Sequence, residues 1–231
     1  MSAYAIKNML LTHPADWFVE RETLALAKAS LPLITEFYKG LGVGELGDLP
    51  LRQIIREPLR EVYTVPLFSD KFCALLMDEI ENMKARIDFT PNTDEDEDAL
   101  RQIPEIVLGD QAPEIYNSLM EIVSRVVNPV LLTIWNRVVE GGNIQIANYN
   151  LKGQKQGAWH HDASSDITIV VPLNTGGYTG GGTEFANRGV VEPLPTGHAL
   201  IFPGLTHMHR GLAVQEGDRY LLVFWLKCEK D

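Results

Sequence analysis

The pattern of apolar and polar positions changes near Gly141-Gly142. Before that point the apolar residues follow helical spacing. Phe72, Leu76, Ile80, Met83 and Ile87 recur three or four residues apart, and Ser69 stands where an N-cap belongs. Ile115, Leu119, Ile122 and Val126 repeat the spacing, and Pro129 is expected to kink or break that helix before Ile134, Trp135 and Val138. An earlier helix is predicted from about Asp16 towards Lys39, interrupted at Pro32. After Gly142 the period becomes two. Ile144 and Ile146 alternate with Gln145 and Ala147; Ile167, Ile169, Val171 and Leu173 with Thr168, Val170 and Pro172; Leu221, Val223 and Trp225 with Leu222 and Phe224. Turn clusters such as Gly176-Gly177, Gly180-Gly181-Gly182 and Glu216-Gly217-Asp218 separate these runs. Short strands so spaced predict a β-sandwich or barrel rather than βαβ units. The expected organisation is one compact domain of the α+β class. Residues 1–142 would form a mainly helical support, and residues 143–231 the β core.

Length and charge narrow the classes. The 231 residues exceed a usual domain of about 150 without reaching two. Lys plus Arg total 20 against 31 for Asp plus Glu, a net charge of −11. Five of the acidic residues form the run Asp94–Asp98, and the stretch from Thr90 to Asp98 reads as a solvated loop. An acidic surface repels phosphate backbones, so no nucleic-acid partner is expected. Only Cys73 and Cys228 occur, both in apolar stretches. With no secretory signal and no apolar run of about 18 residues, a cytoplasmic protein without a membrane span is expected.

Some motifs do not survive inspection. Gly42-Val43-Gly44-Glu45-Leu46-Gly47 matches G-x-G-x-x-G, but it follows a helix and precedes Asp48-Leu49-Pro50. The strand before and helix N-terminus after that a pyrophosphate site requires are both missing. Gly180-Gly181-Gly182 has no P-loop lysine after it and reads as a tight turn.

Five of the six histidines lie between positions 160 and 209. In Trp159-His160-His161-Asp162, residues two apart on a strand share a face at roughly 6.5 Å, so His160 and Asp162 can converge on one ion while His161 points away. An imidazole and a carboxylate are two corners of the facial triad of non-heme iron(II). The third would be His207 or His209, and spacing alone does not choose. Arg219 opens the apolar strand Tyr220–Leu226 and shares a face with Leu221, Val223 and Trp225. A buried arginine is costly unless an anion meets it, and that strand holds no acidic partner. A bound dicarboxylate would supply one through a bidentate fork.

The stretch from Asn148 to Lys227 resembles the prolyl and lysyl hydroxylase branch of the iron(II)/2-oxoglutarate-dependent dioxygenases, most of all the catalytic domain of procollagen lysyl hydroxylases. The resemblance is carried by His160-x-Asp162, by His209 with Arg219 ten residues beyond, by Ala163-Ser164-Ser165 and by Pro172-Leu173-Asn174. Gly180-Gly181-Gly182-Thr183-Glu184-Phe185 and His209-Arg210-Gly211-Leu212 extend it. The ten-residue interval of that family selects His209 over His207. The resemblance implies a double-stranded β-helix (jelly-roll, cupin-like) core. It implies iron(II) on His160, Asp162 and His209, and 2-oxoglutarate with its far carboxylate on Arg219, assisted by Tyr149 and Thr183. Dioxygen would be consumed and 2-oxoglutarate decarboxylated to succinate, with ascorbate a candidate reductant. The bond hydroxylated would be a C–H of a prolyl or lysyl side chain in a peptide, protein or amino acid. Asn148, Asn174, Trp159 and Trp225 are candidates to approach the pocket, and His161 and His207 to stand beside the metal; His13 and His198 are expected to be structural. Alternatives are the same chemistry on a free small-molecule metabolite, a non-catalytic metal-binding β-barrel acting as sensor or interaction module, and a zinc hydrolase. A buried dicarboxylate anchor at Arg219 argues against the hydrolase, and Asp162 in place of a glycine argues for hydroxylation over halogenation.

Overall fold

A computed structural model describes residues 18–38, 49–87, 90–91, 103–152 and 155–229. The predicted start of the first helix at Asp16, its end at Lys39, His13, the Gly42–Gly47 motif and the Asp94–Asp98 run lie outside the described residues.

The period-two segments are strands that bury both faces. In β5 (Val139–Asn150), Ile144 and Ile146 enter the main core, while Ala147 and Tyr149 join a separate cluster on the other side. In β6 (Ile167–Pro172), Ile167, Ile169 and Val171 face the main core. In β12 (Val214–Cys228), Tyr220, Leu222, Phe224 and Leu226 do so, and Leu221, Val223 and Trp225 turn to the opposite side. Each fully buried side chain of this kind contributes about 1.5–3 kcal/mol. Two-sided burial therefore holds the register firmly, since a one-residue slip would exchange the faces.

The large sheet has nine strands in the order β1-β2-β10-β6-β12-β5-β4-β3, with β7 paired to the start of β12. The remaining members are β1 (Arg56–Leu59), β2 (Val62–Pro66), β3 (Thr90–Pro91), β4 (Pro104–Val107), β7 (Tyr178–Gly180) and β10 (His198–Phe202). A second sheet of three strands runs β11-β8-β9, with β8 at Thr183–Phe185, β9 at Gly189–Val191 and β11 at His209–Gly211. All pairings are antiparallel. This is the α+β, double-stranded β-helix architecture expected. Between the two sheets lies a cup.

The helices cover the face of the large sheet away from the cup. Helix α1 (Arg21–Tyr38) passes through Pro32 without the expected interruption. Its start is set by Glu20, whose carboxylate accepts from the amides of Glu22 and Thr23 at 2.8 and 3.0 Å. Helix α2 (Asp70–Lys84) begins as predicted, with Ser69 Oγ accepting from Phe72 N at 3.2 Å. After the single turn α3 (Leu108–Gln111), α4 (Pro113–Ile122) runs through a π-helical turn at Val123–Val127 into α5 (Asn128–Trp135). Pro129 does not break this helix. Proline has no amide hydrogen to donate, and the π turn immediately before it absorbs the mismatch. The helix ends at Asn136 in the left-handed region, φ 54°. Pro113–Trp135 is long and apolar enough to cross a membrane, yet Ile115, Leu119, Ile122, Val126 and Val130 pack into the main core, and Arg125 pairs with Glu121 outside.

The expected division at residue 142 needs correction. It falls inside β5, and the region before it contributes β1 to β4 to the large sheet besides its helices. These strands are two to five residues long, too short to show a period, and all four contain proline; β3 also occupies the start of the stretch from Thr90 that was expected to be loop.

Candidate metal centre and anion pocket

His209 opens β11, and its backbone pairs with that of His160 through two hydrogen bonds, His160 N to His209 O at 3.0 Å and His209 N to His160 O at 2.9 Å. This isolated bridge extends the small sheet and sets the two imidazoles side by side, ring centres 4.4 Å apart. Asp162 is not on a strand, contrary to the expectation. It sits in a turn, with its amide donating to Gly204 O at 3.1 Å and its carbonyl accepting from Ser165 N at 3.0 Å. Its carboxylate is held from the large sheet, where Thr168 Oγ1 of β6 donates to Oδ2 at 2.5 Å. The outcome is convergence by a bridge and a turn rather than by strand alternation. His160 Nε2 lies 3.5 Å from Asp162 Oδ1 and His209 Nε2 3.7 Å from Oδ2, and one donor atom of each residue lies within 4.8 Å of the others.

Protonation suits a cation. His160 Nδ1 is 2.9 Å from Ala158 O, and His209 Nδ1 is 2.9 Å from His207 O. A carbonyl can only accept, so each Nδ1 carries the hydrogen and each Nε2 presents a lone pair towards Asp162. Burial drives the His209 pKa down to about 4 against the pull of Asp162, leaving the ring neutral. Burial pushes the Asp162 carboxyl up. Its contacts with the His160 and His209 imidazoles and with the Thr168 hydroxyl outweigh that and keep the group below its ordinary value. Two neutral imidazoles and one carboxylate are the donor set of a facial triad, so the residues fit a divalent iron ion. A dication would keep a positive charge there, which suits an anionic cosubstrate.

The bridge also separates the two histidines that spacing left open. His207 precedes β11, so the alternation that would put it on His209's face does not apply. Its ring lies against Phe185 and Phe202, with Nδ1 3.1 Å from Thr206 Oγ1.

Arg219 of β12 is 3% exposed and reaches the same cup. Its Nη1 donates to Gly182 O at 3.2 Å, its Nε has no partner, and no carboxylate among the described residues lies within ion-pair distance. The guanidinium carbon stands 5.3 Å from the Tyr149 ring centre and 6.0 Å from that of Tyr178. The Gly180–Gly182 turn has a specific task here. Gly181 and Gly182 have φ of 80° and 99°, and a Cβ at Gly181 would sit 3.2 Å from Arg219 Cδ. Backbone alone can wall the guanidinium so closely. Tyr149 is the ladder partner of Arg219 and is buried, which raises its pKa and keeps the phenol a donor. The phenol lies over Gly211, where a Cβ would come within 2.7 Å of its oxygen. Thr183, paired with Gly211 across the small sheet, is 6% exposed and lines the cup. The residues around Arg219 therefore fit the far carboxylate of a dicarboxylic acid: a buried cation with no carboxylate partner among the described residues, and a phenol and a hydroxyl nearby.

Of the other candidates, Trp225 lines the cup and His161 stands exposed at its rim. Asn148 turns to the opposite face and donates to Tyr220 OH at 3.0 Å. Asn174 clamps β12, donating to Asp218 O at 2.8 Å and accepting from Tyr220 N at 3.0 Å. Trp159 lies under Arg210, whose guanidinium carbon is 4.7 Å from the ring centre. His198 lies on β10, where burial lowers its pKa. Residues that the sequence did not single out include Thr168, Gln145, Glu105, Gly204 and Gly211. The inward alternation of β5 and β6 pointed to Gln145 and Thr168. Gly211 entered only within the His209-Arg210-Gly211-Leu212 stretch of the resemblance, and nothing local pointed to Gly204 or Glu105.

No family model matches the chain. It is 28% identical over 181 residues to the multifunctional procollagen lysine hydroxylase and glycosyltransferase of Caenorhabditis elegans, covering 75% of this chain and 25% of the relative. It is 27% identical over 180 residues to procollagen-lysine,2-oxoglutarate 5-dioxygenase 2 of Homo sapiens, covering 75% and 24%. The chain thus spans about a quarter of the length of the curated relatives it matches. Among solved structures, a prolyl hydroxylase from Trichoplax adhaerens, in complex with a hypoxia inducible factor oxygen degradation domain peptide, matches at TM-score 0.56 and 13% identity, covering 98% of this chain and 93% of that one. A prolyl-4-hydroxylase of Pseudomonas putida matches at TM-score 0.52 and 20% identity, covering 69% and 88%. In sequence and in fold alike, the chain resembles the prolyl and lysyl hydroxylase branch of the iron(II)/2-oxoglutarate-dependent dioxygenases.

Proposed function

We propose that this chain is an iron(II)- and 2-oxoglutarate-dependent dioxygenase that hydroxylates a C–H bond of a prolyl or lysyl side chain in a peptide or protein. One observation carries the proposal: the His160, Asp162 and His209 donors and a buried guanidinium with no carboxylate partner among the described residues face one cup. A hydrolytic zinc site needs no such anchor, and a purely structural metal site would not keep a buried cation uncompensated.

His160 Nε2, Asp162 and His209 Nε2 would hold the iron. Arg219 would bind the far carboxylate of 2-oxoglutarate, with Tyr149 and Thr183 orienting it. When bound, iron and 2-oxoglutarate together supply the activation of dioxygen, which ends in succinate, carbon dioxide and a hydroxylated product. The protein's own part is positional. Thr168 fixes the Asp162 carboxylate, the two backbone carbonyls fix the imidazole tautomers, and the apolar floor of Leu221, Val223 and Trp225 keeps water from the reacting bond. The peptide and procollagen substrates in the relatives' names support a polypeptide substrate here. A reducing, cytoplasmic setting belongs to the same proposal, supported by Cys73 and Cys228 being buried free thiols.

The test is succinate release with iron(II), ascorbate and 2-oxoglutarate across lysyl peptides, prolyl peptides and free amino acids. Substrate-dependent release that Asp162→Ala abolishes supports the assignment. Release confined to free amino acids would shift it to a metabolite enzyme, and no release with iron bound would overturn it.

A further inference from the structure

The cup has lining residues that serve neither the metal donors nor the guanidinium. Gln145 projects into the cup from β5, on the face that also carries Ala147 and Tyr149. It is 6% exposed, and its Oε1 has no hydrogen-bond partner among the described residues. A buried acceptor is rarely left unpaired in a folded protein, and an exception in a binding cup points to a donor arriving with the ligand. In the ladder Gln145 pairs with Val223, four residues from the Tyr149–Arg219 rung, about 14 Å along the strand. It lies two strands from Thr168, which holds Asp162, about 10 Å across the sheet. Gln145 therefore stands to one side of the line between the anion anchor and the triad.

The surroundings define what would fit. Val223 and Trp225 make an apolar floor, and Ile103 adds to the wall. Glu105 lines the cup from β4, and its negative charge is felt at Tyr149. A greasy floor ending in an amide oxygen and a carboxylate matches a flexible aliphatic stem that ends in a hydrogen-bond-donating cation. A prolyl residue in a peptide has no N–H and leaves Gln145 unpaired.

We infer that Gln145, with Glu105, is the specificity-determining acceptor for the primary ammonium of a lysyl side chain. The inference rests on the dioxygenase function proposed above and adds to it the end group that the site selects. Charge alone would not distinguish lysine from its trimethylated form, whereas an acceptor that needs an N–H does.

The experiment compares three peptides alike except at the target: lysine, Nζ-trimethyllysine and proline. KM and kcat are taken from succinate release, and peptide Kd from fluorescence anisotropy under nitrogen with iron(II) and 2-oxoglutarate present. The wild type is expected to bind the lysyl peptide at least tenfold more tightly than the trimethylated one. Gln145→Leu should raise the lysyl KM and Kd at least tenfold with a smaller effect on kcat, and Gln145→Glu should restore binding. Glu105→Gln should raise the lysyl KM at least threefold. Wild-type Kd in Gln145→Leu, equal binding of the trimethylated peptide, or preference for the prolyl peptide would overturn the inference. If Gln145→Leu does not fold, the lysine–trimethyllysine comparison on the wild type decides. Substrate-dependent succinate release alongside any of those results would sink the inference alone; no release from any peptide would sink the parent function with it.

Discussion

Replacing Arg219 by methionine separates anchoring from folding, because the two effects have different signs. The side chain is 3% exposed, makes one hydrogen bond to a carbonyl and meets no carboxylate among the described residues. Burying such a charge costs several kcal/mol. Against that stand the bond to Gly182 O, worth about 1.5–3 kcal/mol for a charged donor, and the stacking on Tyr149, worth about 2 kcal/mol when desolvated. These roughly cancel, so Arg219→Met should melt within about 3 °C of wild type without ligand. The ligand response should differ sharply. At one hundred times Kd, 2-oxoglutarate stabilises the wild type by about 2.7 kcal/mol. For a chain of this size that is a rise of about 5–11 °C. Truncating one member of a buried charge pair costs about 2–5 kcal/mol of affinity. At the same ligand concentration the variant should keep about 1 kcal/mol or less of that stabilisation. The assay is thermal unfolding under nitrogen with iron(II), with and without 2-oxoglutarate. A variant that melts like wild type and still gains the full ligand-induced shift would refute the anchor. A variant that loses 10 °C or more without ligand would instead make Arg219 a structural residue.

Further outcomes follow from single contacts. Thr168→Val removes the 2.5 Å hydrogen bond to Asp162, so iron(II) affinity should fall about 10–100-fold in an anaerobic titration. Gly211→Ala would place a methyl 2.7 Å from Tyr149 OH. The overpacking should cost about 1–3 kcal/mol, and 2-oxoglutarate affinity measured by calorimetry should fall as the phenol moves. Ser69→Ala removes the cap of α2 and should cost about 1 kcal/mol. That is a fall of about 2–4 °C in Tm, with succinate release unchanged.

What was legible in the sequence was what short-range periodicity records. The strands β5, β6 and β12 showed their alternation because each buries both faces, so every second residue answers to one environment. For the same reason Arg219 could be placed on the inward face before any coordinates, two residues from Leu221. Ser69 was readable as a cap because capping is a matter of three residues. Pro32 and Pro129 misled. A local rule forbids proline inside a helix, and packing against the sheet, with a π turn before Pro129, overrode it.

The chemical inventory was thus written in the chain: two imidazoles, a carboxylate and an arginine at telling intervals, of which Arg219 alone stands on a strand whose faces the polar–apolar rhythm assigned. Which histidine joins Asp162 was not decided there by spacing. The backbone bridge between His160 and His209 decides it, and that bridge joins residues 49 positions apart. Likewise Gly211 beneath Tyr149, the glycine wall beside Arg219 and the entry of Glu105 on β4 arise only when distant strands meet. Pairing between strands is set by the sum of many burial energies over the whole sheet rather than by any neighbour in sequence. The sequence therefore determined the groups and their faces, and the tertiary structure determined the distances between them.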